Sequence, residues 1–169
     1  CHAIENKIND EWLVRDQGAI VRQLGTTPVD YTRSLILAEG GPDSCLKPFN
    51  PEDDIKGPYI ERGNSNEWGK KYAAALSDIM NADFTSIRQN YDRAVLAELP
   101  GGRTAYSYDG IDEFWMGLRA SFPNAKFEMH HTIGLDEKML SPRSAIRWSL
   151  SGKHDGLGAF GKPTGADVY

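Results

Sequence analysis

Apolar residues recur along this chain at two spacings, and the spacings sort it into elements. Positions three or four apart mark helices. They occur at Ile20, Val21 and Leu24, and a second helix carries Val29, Tyr31, Leu35 and Leu37. Trp68, Tyr72, Ala75, Leu76, Ile79 and Met80 define a third; Phe84, Ile87 and Tyr91 a short fourth; Ile111, Trp115, Leu118 and Phe122 a fifth. Local signals agree with these limits. Gly25 stops the first helix, Thr27 and Pro28 start the second, and Gly40-Gly41 ends it. Ser65 or Asn66 can cap the third and Asn81-Ala82-Asp83 breaks it, while Asp109 caps the fifth, with Asp112 and Glu113 in its first turn.

Alternation marks the strands. The chain opens with a strand, a turn at Glu5-Asn6-Lys7, and a second strand in INDEWLVRD that puts Trp12 and Val14 on one face and Leu13 on the other. Arg93 to Leu99 reads as a strand ending at Pro100-Gly101-Gly102. Lys126 to Leu135 and Arg143 to Ser151 are two long strands. From Trp148 to Tyr169 the pattern is strand, bend, strand, with Gly152, Gly156, Gly158, Gly161, Gly165 and Pro163 in the bend. Glycine there lets a sheet turn sharply without a Cβ clash. The order predicts an α+β fold in which a curved antiparallel sheet wraps around helices. Three parts are expected: a hairpin and helix over 1–24, a linker helix and Pro/Gly-rich connection over 25–66, and the main domain over 67–169. The stretch from Pro42 to Ser65 is long enough for a lid or a docked strap.

Strand parity suggests where chemistry could lie. In KFEMHHTIGL, Phe127, Met129, His131, Ile133 and Leu135 share one face, and Lys126, Glu128, His130 and Thr132 the other. His131 is therefore expected on the apolar, concave side with Trp148 from the next strand, and His154 joins it if no bulge intervenes at Gly152. Two imidazoles beside an indole could hold an aromatic ligand and move protons near neutral pH. Two readings stay open: His131 and His154 as proton carriers, or His131 as a core histidine and His154 as a bend residue. Asp155 could orient His154 or satisfy the turn, and Tyr91 and Trp115 could line the pocket or fill the core. Adjacent strand residues point to opposite faces, so His130 and His131 are not expected to share a metal ion, and no metal or other cofactor is expected.

Composition narrows the partners. The chain has 169 residues, 40% of them hydrophobic, which favours a packed core over disorder. A net charge of −5 argues against nucleic acid, which needs a basic stripe. No apolar run reaches membrane-spanning length and no signal peptide is visible, so the expectation is a cytoplasmic protein without membrane contact. Cys1 and Cys45 are too few for a disulfide framework.

The run LSGKHDG…FGKPTGADV is similar to the strand-bend-strand of the SnoaL-like polyketide cyclases, members of the NTF2-like superfamily, and YDRAVLAELPGGRTAYSYDGIDEFW resembles the segment by which these domains leave their first helices. The resemblance covers about Gly69 to Tyr169. It implies an NTF2-like cone lacking its last strands, and a pocket for a small hydrophobic or aromatic ligand lined by Trp148, Trp115, Tyr91, Met129 and Phe127. It further implies cofactor-free acid/base chemistry such as aldol cyclisation, isomerisation or hydration, and pairing through the sheets as a homodimer or tandem pseudo-dimer. NKINDEWLVRDQGAIVRQLG resembles the last strand and tail of the same family, so a tandem or truncated arrangement is favoured over a rearranged single domain. The family's acid/base aspartate falls on Leu13, which cannot transfer a proton, leaving Asp16 or Asp10 to serve. A non-catalytic binding or dimerisation module is the other reading.

Overall fold

The computed structural model describes residues 1–46 and 50–169, so residues 47–49 of the expected strap lie outside the described residues. The chain divides into two compact units, Cys1–Phe49 with Leu96–Ala105, and Asn50–Val95 with Tyr106–Tyr169. The fold is α+β, with antiparallel sheets that do not close.

In the first unit β1 (His2–Ile4) and β2 (Lys7–Asp10) form an antiparallel hairpin. Its turn holds Glu5 and Asn6 at φ 49° and 61°, the left-handed values a tight hairpin needs. The strand stops at Asp10, earlier than the Trp12/Val14 alternation predicts: residues 11–16 are irregular and Val14 is 89% exposed. Helices α1 (Gln17–Gln23) and α2 (Pro28–Ala38) follow, the latter capped as expected by the Thr27 hydroxyl, which accepts from Asp30 N at 3.1 Å. β3 (Leu96–Leu99) and β4 (Arg103–Tyr106) make a second hairpin. β4, of sequence RTAY, is not among the strands read from alternation.

The second unit carries the larger core. α3 (Glu67–Met80) is capped by Asn66, whose side chain accepts from Trp68 N at 2.9 Å. After α4 (Thr85–Asn90), α5 (Ser107–Ser121) starts two residues before Asp109, which sits in its first turn and is not its cap. The predicted stripe holds: Ile111, Trp115 and Leu118, with Phe122 just past the helix end, are all buried. β5 (Lys126–Leu135), β6 (Arg143–Lys153) and β7 (Asp167–Val168) form a three-stranded antiparallel sheet in that order. β7 pairs back onto Gly152 and Lys153, so the strand-bend-strand pattern is present.

One irregularity reverses part of the predicted sheet. Met129 pairs with Trp148 but His131 pairs with Arg147, so His130 is an extra residue, a β-bulge. Each residue after it changes face relative to simple alternation. Phe127 and Met129 keep the side of Leu150 and Trp148, and beyond the bulge that side continues through Thr132 and Gly134, opposite Ile146 and Ser144. Ile133 and Leu135, expected inside, are each 43% exposed. The packing fits the new register. α3 lies against β5 and β6, and a Cβ on Gly134 would come within 2.6 Å of Gly69 N, an approach that only glycine permits.

Part of the expected strap docks on the sheet. Thr132 N donates to Arg62 O at 2.9 Å, and Asn64 N to Thr132 O at 3.1 Å, forming a parallel bridge at Gly63 on the outer edge of β5. The Asn64 side chain extends it, donating to Gly134 O at 2.8 Å and accepting from Gly134 N at 3.0 Å. Backbone groups that would be open on that edge are thereby satisfied.

Candidate functional site

His154 lies just past β6, 6% exposed, on the helix side of the sheet. Its ring packs 5.4 Å from that of Phe122 and 6.3 Å from that of Phe160, and Nδ1 is 3.2 Å from the Thr164 hydroxyl. The backbone is tied as firmly: His154 N donates to Ala166 O, and His154 O accepts from the amides of Thr164 and Gly165. Nε2 is buried without a hydrogen-bond partner. Asp155 is exposed beside it in the bend. The bend itself is fastened to α5, with Gly156 N donating to Ser121 O at 3.1 Å and Ala159 N to Gly117 O at 3.1 Å.

His131 is on the other face, opposite Arg147, which corrects its expected place beside Trp148. The bulge is the cause. His130 stays on the Glu128 side, as expected, where its Nε2 is 2.7 Å from the Ser149 hydroxyl, and His131 joins it there. His131 Nε2 lies 3.1 Å from the hydroxyl of Tyr59, on the strap. Burial, helped by the Arg147 guanidinium, holds its pKa below the ordinary histidine value and favours the neutral ring. The two imidazoles expected to line one cavity are thus on opposite sides of the sheet.

Asp16 belongs to the first unit and serves the backbone there. Its Oδ1 accepts from Ala19 N at 2.9 Å, capping α1, and its Oδ2 accepts from the successive amides of Gly101 and Gly102 at 2.7 and 3.1 Å in the β3–β4 turn. Two neighbouring amides aimed at one anion form a nest. The amide of Ala19 chiefly, with those of Gly102, Gly101 and Gly18, holds the carboxyl below its ordinary value of 3.8, a direction opposite to that needed for proton transfer near neutrality. A depressed folded-state pKa contributes stability above the ordinary value, and that contribution is lost as pH falls through the lowered one. The amide resonances of Gly101 and Gly102 should therefore move together on acidification, with a midpoint below that of a free aspartate, and Asp16→Asn should abolish the transition. A midpoint at the ordinary value would refute the clamp.

The aromatic residues expected to line a pocket separate into two groups. Trp115, Trp148 and Phe127 pack on one another, with ring centroids 6.3 Å apart for the two indoles and 5.8 Å for Phe127 and Trp148. Met129 sits opposite Trp148 in register. Tyr91, at the C-terminal end of α4, instead lines an open cleft of about 160 Å³ with Trp68, Tyr72, Asn90 and Ser144. Burial, with the neighbouring Tyr72 phenol next in weight, pushes the Tyr91 hydroxyl up to about 12, so it stays protonated as a donor. The Trp68 indole N–H donates to Asp136 Oδ2 at 3.3 Å, which holds one wall of the cleft. Lys71 lies at the same cleft, its Nζ 5.3 Å from the Trp68 ring centroid. The spacing of Trp68 and Tyr72, four apart on α3, was visible in sequence as a helical stripe. Ser144 reaches the cleft only because β6 folds against α3, and no local signal marks it.

Among the described residues, no three His, Cys, Asp or Glu side chains are grouped to hold a metal ion, and no helix is long and apolar enough to cross a membrane. No family model, curated protein or solved structure matches this chain.

Proposed function

We propose that the second unit is a SnoaL-like, NTF2-like domain that binds a small single-ring organic ligand in the Trp68–Tyr72–Tyr91 cleft without transforming it. The observation that carries this reading is the cleft itself: aromatic walls, protonated phenol, hydroxyl and amide around about 160 Å³. A cavity of about 150 Å³ is known to accept benzene, so the volume is enough for one ring. Aromatic walls with a few placed polar groups are the usual make-up of a small-molecule site. Helices laid on one face of an antiparallel sheet, and the glycine bend fastened to α5, support the kinship.

Binding without turnover is favoured over acid/base catalysis by the positions of the candidate proton carriers. His131 and His154 stand on opposite faces of the sheet, and the Asp16 carboxylate is engaged by backbone amides. A chemical-shift titration tests the proposal. Benzyl alcohol or benzoate should move the Trp68 indole N–H resonance saturably, and Trp68→Ala should weaken binding about tenfold or more, the loss of roughly 1.4 kcal/mol or more. Absence of saturable shifts with both probes would overturn it.

A further inference from the structure

Resting on that reading of the cleft, we infer that its ligand is an aromatic carboxylate, held by Lys71 at its acid group and by Trp68 and Tyr72 at its ring. Among the described residues lining the cleft, Lys71 alone carries a formal charge at neutral pH, and that charge is positive. The ammonium is drawn to the cleft wall by the face of the Trp68 ring, 5.3 Å away. Trp68 and Lys71 are three apart on α3 and so share a helix side, with Tyr72 next along.

Lys71 and the hydroxyls of Tyr72 and Ser144 are the lining groups that bear on the charge of the ligand. Lys71 offers donors only, while the phenol of Tyr91, protonated across the physiological range, is engaged in side-chain hydrogen bonds with Tyr72 and Trp115. The hydroxyls of Tyr72 and Ser144 can also donate. The Asn90 amide nitrogen is already engaged, donating to Ser86 O at 2.9 Å and lying 3.1 Å from the Ser86 hydroxyl, so Asn90 adds no free donor to the cleft. A site with one cation at its wall, hydroxyls able to donate and aromatic sides suits an anion carried on a flat apolar body. A carboxylate on one ring meets both requirements within the volume.

Benzoate, benzamide and benzyl alcohol separate the possibilities, each titrated by NMR into the intact chain and into Lys71→Met and Lys71→Arg. Wild-type protein should bind benzoate at least tenfold more tightly than either neutral probe. Lys71→Met should erase that preference, so that benzoate and benzyl alcohol bind the variant about equally, and Lys71→Arg should keep most of it. Lys71 is exposed, so neither variant removes a core contact. Equal affinity for benzoate and benzyl alcohol, or a preference that survives in Lys71→Met, would overturn the anion inference and leave the cleft reading standing. Failure of all three probes to bind would overturn both.

Discussion

Trp115→Ala is expected to cost the second unit about 3–5 kcal/mol of stability, the range for emptying a large aromatic from a core. Trp115 is 8% exposed on α5. Its ring meets Phe114 edge-on at 4.8 Å and Trp148 at 6.3 Å, and it is a side-chain hydrogen-bond partner of the Tyr91 phenol. Removing it leaves a void that its neighbours cannot close, because α5 is pinned by the bend from Gly156 to Phe160. For a chain of this size the midpoint of thermal unfolding should fall on the order of 10 °C. The result decides between two roles. A side chain that lined an empty pocket would be lost with little effect on stability and a large effect on binding. Unchanged urea and thermal midpoints would show that Trp115 is not core.

Gly156→Ala should be the next most damaging change, at about 1–3 kcal/mol, the usual cost of forcing extra volume into a packed site. An added Cβ would lie 1.8 Å from Ala120 O and 3.1 Å from Pro123 Cδ. The first obstacle is helix backbone and cannot rotate away, so the bend must lift off α5. Lifting would break the Gly156 N to Ser121 O bond and strip the cover from His154. The variant should show faster amide exchange at Gly156 and Ala159, and a His154 ring open to solvent. Gly18→Ala is the control: its new methyl would meet nothing closer than 3.4 Å, and stability should not fall. Equal behaviour of the two variants would contradict the close-approach explanation.

The linked fates of His131 and His154 show how far local sequence reaches. Alternation located both strands, and it put His154 on the helix side, where it lies. It failed at His131 because a bulge adds one residue whose presence depends on the partner strand, and HH carries no mark of it. The consequence extends past one side chain: Thr132 and Gly134 take the inner positions that Ile133 and Leu135 were expected to hold. The less apolar residues are inside because α3 approaches β5 too closely for larger ones, and that approach is set by Gly69 on a helix far away in the chain.

Asp16 gives the same lesson for electrostatics. That an aspartate precedes a short helix is readable as a cap. That the same carboxylate also receives the Gly101 and Gly102 amides, 85 and 86 residues on, is not. Its proton affinity is set by those distant donors as well as by its own helix.

What the residues determined unaided are the periodic and local features: the five α-helices of the described residues, the cap at Thr27, the choice of Ser65 or Asn66 for α3, the buried stripe of α5, the Glu5–Asn6 turn and the glycine bend. Each rests on interactions within a few residues, for which order along the chain is order in space. Tertiary structure alone decided the bulge register, the docking of Arg62 to Asn64 on β5, the clamp at Asp16 and the cleft that unites Trp68, Tyr91 and Ser144. These depend on which surfaces meet, and a meeting between distant segments leaves no period to read.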